Sequence, residues 1–275
     1  MRELRGLQPC WTAIEIEGRQ QGAALILKGR KQAFRIDRGP FWFTENVPET
    51  WHRAFWQALS RARPRRFLSP RRVMPEWPEG PDGRPVIAGW RALRKSRPYA
   101  TLWLDLQDRA LETGLHTKWR ADLNRARSDE NLVCTTDEKG GYLVRLLRLY
   151  QADKGLRNYG GPELNFIRPL ASRYFTAQSA LISAVTDREK GDVLAAALFL
   201  IHGSSATYQI GVTVAEGRRC GAGHRALWDG ILALRVRNVL SLDLGGLPPE
   251  GEAEGLARFK RRMGGEEIKL IGSYA

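Results

Sequence analysis

The sequence predicts an α/β fold of the α+β kind rather than a doubly wound one, on three observations. Three apolar runs at 180–186, 193–201 and 205–213 alternate with short turn-rich stretches and read as an antiparallel meander. A glycine-rich bend over 217–223 then opens a helix at about 224–237. A strand at 239–244, the pair Gly245-Gly246, a helix at 252–263 and a last strand at 268–274 complete the pattern.

Upstream, residues 13–16, 23–28 and 32–37 read as short strands parted by glycine turns. Pro48-Glu49 opens a helix to Arg61 that places Trp51, Phe55, Trp56 and Leu59 on one face. Six prolines over 70–98 predict an extended loop. Residues 99–106 alternate as a strand. A helix over 109–128 follows, with Leu111, Leu115, Trp119, Leu123 and Ala126 as its inward stripe. Two further helices are expected at 141–154 and 162–178. The early strands and helix resemble a reduced copy of the later layout, without a repeat visible residue by residue.

Composition narrows the function. With 275 residues and 43% hydrophobic content the chain can bury one large core or two small ones, which excludes disorder. No apolar run approaches the ~20 residues of a membrane span, and Arg2, Glu3 and Arg5 precede no apolar stretch, so a cytoplasmic protein is expected. Cys10, Cys134 and Cys220 are odd in number and far apart, and His52, His116, His202 and His224 lack ligand spacing. No metal site and no tightly bound cofactor are expected.

The charge is +14, from 44 basic and 30 acidic residues, and only nine of the 44 are lysine. Twelve basic residues against Glu76, Glu79 and Asp82 fall between Arg53 and Arg97. Arginine's planar fork suits phosphate. The stretch fits a polyanionic partner (RNA, a nucleotide or an anionic lipid head group) or, equally, a solvated face.

Arg218-Arg219-Cys220-Gly221-Ala222-Gly223 fits R-x-x-G-x-G between a strand and a helix. Glycines there admit a close backbone approach, and the following helix start presents free N–H groups. The pattern and its position resemble the GNAT superfamily. That resemblance implies a GNAT-like acyltransferase fold and gives Arg218, Gly221 and Gly223 a place at a phosphate-bearing donor such as acyl-CoA.

A longer ordered set sharpens this. Leu242-Asp243-Leu244-Gly245-Gly246, Gly255 to Phe259-Lys260, Gly264-Gly265 and Ile271-Gly272-Ser273-Tyr274 follow one another closely. Upstream stand 101–106, then Lys118-Trp119-Arg120, and Arg38-Gly39-Pro40 after the first hairpin. The set is similar to the Fem family, aminoacyl-tRNA-dependent transferases that add amino acids to peptidoglycan precursors. The resemblance implies two lobes: a reduced N-terminal one over 1–110 with 266–275, and a complete C-terminal one over 111–265. A substrate cleft is expected between them, and the chain lacks the long coiled-coil arm of cross-bridge enzymes.

The implied reaction is aminolysis of an aminoacyl-tRNA ester by a primary amine on a peptidoglycan precursor, a peptide or a small metabolite. No Cys–His or Ser–His–Asp pairing is evident, so direct attack without a covalent intermediate is expected. Lys260 matches the family's donor-site lysine beside Phe259, and Tyr208 on the third meander strand is the second candidate catalytic residue. Arg38, Lys118, Arg120, Arg157 and Tyr159 are candidate acceptor contacts. Asp243 reads as a cap for the Gly245-Gly246 turn, and His224 as a solvent-facing first-turn residue. An acyl-CoA-dependent N-acyltransferase and a non-catalytic RNA-binding module are the alternatives.

Overall fold

The computed structural model describes residues 7–29, 33–44, 47–63, 70–93, 98–157, 160–248, 251 and 253–275. The chain forms two compact units, one of residues 1–100 with 268–275 and one of 101–267.

In the first unit, strands β1 (Gln8–Ile16) and β2 (Arg19–Lys28) form a hairpin on the two-residue turn Glu17-Gly18. Both turn residues have positive φ, at 52° and 73°, matching the twist of a tight hairpin. β3 (Phe34–Asp37) pairs with β2 on one side and with β5 (Arg71–Met74) on the other, while the short β4 (Phe41–Trp42) also pairs with β2. Helix α1 (Glu49–Ala62) contributes Trp56 to a core with Ile26, Phe34, Ile36, Trp77 and Trp90. The chain's end joins this core through Ile271 and Tyr274, and Tyr274 bridges to Val73 and Ala92.

Several arginines of the basic stretch serve this packing. Arg71 is buried over the Trp90 ring at 4.2 Å and donates to the carbonyls of Arg63 and Gly89. Arg53 pairs with Glu49 at 2.8 Å and donates to Val86 O at 3.0 Å. Both satisfy backbone carbonyls at the helix end and in the loops around them. Arg65, Arg66, Arg94, Lys95 and Arg97 lie outside the described residues.

The second unit comprises β6 (Ala100–Asp105), α2 (Thr117–Ser128), β7 (Leu132–Asp137), α3 (Leu143–Arg157) and α4 (Leu164–Thr176). Then follow β8 (Ala180–Asp187), β9 (Val193–His202), β10 (Ser205–Thr213), α5 (Ala215–Cys220), α6 (Ala222–Val236), β11 (Ser241–Asp243), α7 (Glu254–Arg261) and β12 (Glu266–Lys269). The sheet order is β12-β6-β11-β10-β9-β8-β7, antiparallel through the meander and parallel between β10 and β11.

Helices cover both faces of β9, which explains its unbroken apolar run. Ala197 and Phe199 join a core with Trp119, Leu227, Trp228 and Ile231. Ala196, Leu198 and Leu200 alternate into a second core with Leu146, Leu147, Tyr150 and Ile167. Among the described residues no helix is long and apolar enough to cross a membrane.

Four expectations need correction. Helix α2 starts at Thr117 rather than near 109, because Asp108 and Thr113 bond locally to Ala110 and His116 caps the Lys118 N–H at 3.2 Å. Strand β7 is not expected from the sequence; with only Leu132 buried and polar Thr135 and Thr136, it lacks the alternation that announces a strand. Its place at the sheet edge supplies the missing reason. The final strand is shorter and earlier than expected, at Glu266–Lys269.

The fourth concerns the bend at 217–223, which is largely helical. α5 ends at Gly221, whose φ of 77° reverses the chain directly into α6. A side-chain carbon on Gly221 would also fall 2.6 Å from the Asp122 carbonyl of α2. Glycine is therefore required by backbone conformation and by helix packing together. Gly221→Ala is expected to lower unfolding free energy by about 1–3 kcal/mol in urea melts, with or without any donor present.

Candidate functional site

β10 pairs with β9 along its whole length, from Ser205 to Thr213. With β11 it pairs only from Ser205↔Ser241 to Thr207↔Asp243. Where that pairing ends, the register with β9 shifts: Tyr208 opposes Phe199 and Ile210 opposes Leu198, leaving Gln209 as an extra residue. Such a bulge bends the strand and increases its twist. β10 thus leaves β11, and beyond the parting lies a cavity of about 570 Å³, within the range that holds small ligands.

The cavity has a small-residue floor, an apolar wall and a charged rim. Ala196, Ala197 and Gly211 lie on β9 and β10, and Leu256 and Phe259 come from α7. Tyr208 lies across Gly211, where any side-chain carbon would collide with the phenol. Burial pushes the Tyr208 phenol up to about 12, so it remains a hydrogen-bond donor at neutral pH. At the rim Asp153 links two arginines, Arg157 at 3.2 Å and Arg218 at 3.5 Å. Arg218 also donates to Thr213 O.

His224, in the first turn of α6, lines the cavity and does not face solvent as expected. Its ring meets Trp119 and Phe259 edge-on at 4.9 and 5.0 Å, and its Nε2 lies 3.7 Å from Asp122 Oδ2. Burial lowers its pKa, opposed by Asp122 and assisted by Arg125 and Arg262, so the ring is neutral at pH 7. The sequence missed it because one histidine after a glycine carries no spacing signal. Asp122 and Asp153 were missed likewise, since Asp122 lies far along the chain from His224 and Asp153 far from Arg218.

Lys260, the match to the family's donor-site lysine, is buried. Its Nζ donates to Gly245 O at 3.2 Å and Gly246 O at 2.9 Å. Asp243 caps the same turn from below, accepting the Gly245 N–H at 2.7 Å and the Thr101 hydroxyl. Burial lowers the Lys260 pKa to about 8, with Asp243 opposing the fall.

Among the sequence-predicted residues, the cavity brings together Tyr208, Arg218, Gly223, Phe259 and Arg157. Gly221 adjoins it as the N-cap of α6. Lys118 is exposed on α2, and Arg120 is spent on Thr113 O at 3.0 Å. Neither lines this cavity, because α2 turns only Trp119 of that trio inward. Arg38 belongs to the other unit, where its fork grips Glu76 and its guanidinium lies 4.5 Å from the Tyr99 ring centre. Tyr159 lies outside the described residues.

The Lys260 environment is directly measurable. After reductive ¹³C-methylation, one dimethyl-lysine signal is expected to titrate near pH 8, well below those of the exposed lysines. That signal should be missing from Lys260→Met; a Lys260 midpoint above 10 would contradict the buried placement.

Residues 114–261, more than half of the chain, match the family model described as an acetyltransferase (GNAT) domain. No curated protein matches in sequence. Among solved structures, the chain is similar to FemX, with a TM-score of 0.75 at 14% identity over 99% of this chain and 89% of the other. It is similar also to the C-terminal domain of a putative lysylphosphatidylglycerol synthetase from Agrobacterium fabrum, with a TM-score of 0.59 at 16% identity over 98% and 84%. A tandem GNAT protein from the clavulanic acid biosynthesis pathway gives 0.52 at 15% over 98% and 82%. The chain therefore belongs to the acetyltransferase (GNAT) domain family and has a Fem-like fold.

Proposed function

We propose that the protein transfers an aminoacyl group from aminoacyl-tRNA to a primary amine. The observation that carries this reading is the cavity at the β10–β11 parting, where a proton acceptor, a proton donor and a cationic rim converge. The Fem-like fold and the basic charge of +14 support an RNA-borne donor. The acceptor is any amine that reaches the cavity: a peptidoglycan precursor, a peptide or a small metabolite.

The chemistry is ester aminolysis. The amine nitrogen attacks the aminoacyl carbonyl carbon, and the carbonyl π pair becomes an oxyanion. Collapse re-forms the carbonyl and breaks the bond to the ribose oxygen, which leaves with a proton. Neutral His224 is placed to take the proton from the attacking amine, and Asp122 steadies the imidazolium that results. The same ring can return the proton to the ribose oxygen. The Tyr208 hydroxyl, held protonated by its burial, donates to the developing oxyanion.

Lys260 acts as a positioning residue. It holds the Gly245-Gly246 turn and places a positive charge one residue beyond Phe259. Arg157 and Arg218 give the rim a net positive charge around Asp153 and suit a phosphate at the mouth.

An acyl-CoA donor is the second reading, favoured by the family match and by Gly223 at the cavity edge beside the start of α6. Against it, Gly221 has a packing reason to be glycine, with no donor needed to explain it.

Purified protein, a charged tRNA pool and an amine acceptor should give RNase-sensitive transfer. Thermal stabilisation by acetyl-CoA together with none by aminoacyl-tRNA would move the assignment to the second reading. With His224 as acceptor, kcat should be flat through neutrality and fall only below the ordinary imidazole value of 6.5, where the ring gains a proton. His224→Gln should lower kcat by about 10²–10⁴ and remove that acid limb; an unchanged profile would take His224 out of the mechanism.

A further inference from the structure

Helix α7 separates two cavities. Leu256 and Phe259 face the transfer cavity, whereas Ala257, Arg258, Arg261 and Arg262 face a second one of about 650 Å³. His116, the N-cap of α2, also lines it, and its backbone N–H donates to Arg262 O at 2.9 Å. Nothing in the transfer chemistry uses this second space.

Its charge is one-sided. Among the described residues Glu254 is the one acid in the wall, and it reaches Arg258 at only 4.0 Å, with both side chains largely exposed. Arg261 is more firmly engaged, its fork on the Glu267 carboxylate at 2.9 and 3.2 Å. Arg262 is half-buried and has no ion pair among the described residues. His116 accepts the Lys118 N–H through Nδ1, which in the neutral ring leaves the proton on Nε2 as a donor. Arg258 and Arg262 lie four residues apart on the helix, about 6 Å along its axis, so two guanidinium groups form a short row rather than a single point.

We propose that this second cavity holds phosphodiester groups of the donor RNA, with α7 as the partition between the RNA backbone on one side and its reacting end on the other. The inference rests on the tRNA reading above. A row of cations separated from the transfer cavity by one helix suits a strand whose phosphates recur at short intervals, and arginine is the side chain that meets each phosphate with two bonds. Occupation would also touch the chemistry. Arg262 is one of the charges that hold the His224 pKa down, and a phosphate on Arg262 would offset that charge.

The test measures binding of a fluorescent RNA hairpin with a single-stranded 3′ end, by polarisation over a salt series. Wild type is compared with the double variant Arg258→Ser/Arg262→Ser and its counterpart Arg258→Lys/Arg262→Lys. The serine variant should bind more weakly, and the slope of log K against log salt should shrink by about 1.5, for two lost phosphate contacts. The lysine variant should keep the slope, which a merely structural role for the arginines would not produce. Equal slopes in wild type and a folded serine variant overturn the site while leaving the donor reading intact. No RNA binding by wild type overturns the donor reading and this site together. Loss of binding to anionic phospholipid vesicles in the serine variant, with RNA binding unchanged, would reassign the cavity to a membrane surface.

Discussion

The cavity exists because β10 stops pairing with β11 after Thr207, and much of the site depends on that parting. A continuous sheet would place a strand where the ligand space now lies. Two local devices hold the strands apart. On β10 the extra residue Gln209 bends the chain away. On β11 the Asp243 carboxylate takes the Gly245 N–H and ends the strand in a turn. The turn carbonyls are then bound by Lys260, so the strand end is tied to α7, the helix that brings Phe259 to the cavity.

A buried ammonium needs such partners. Removed from water without compensation it would cost several kcal/mol or give up its proton. Two carbonyls and the nearby Asp243 charge offset much of that, and the lowered pKa of Lys260 records what remains. The arrangement explains why a lysine with only an aliphatic stem in common with core residues stands at an inward position of α7. It also shows how one side chain can serve stability and function together, since the turn it stabilises forms one side of the β10–β11 gap.

Small residues make the space and large ones shape it. Ala196, Ala197 and Gly211 keep the floor low, and the side chains that rise above it are Tyr208, His224 and Phe259. His224 is wedged between two aromatic rings, which withdraws it from water and keeps it uncharged at neutral pH. The arginines divide by environment. Arg71 and Arg53 satisfy loop carbonyls in the first unit, whereas Arg157 and Arg218 stand at a cavity rim around a single carboxylate.

By itself the sequence determined the meander, the helix after Gly221 and the Asp243 cap. These follow from short-range rules: alternation along β8 to β10, glycine at a positive φ, and an aspartate two residues before the N–H it binds. Only the tertiary structure decided the rest. Whether Lys260 meets water or two carbonyls, whether His224 faces solvent or Phe259, and which arginines are already paired all depend on residues tens of positions away. Charge and protonation are set by burial and by neighbours in space, and a linear pattern carries neither.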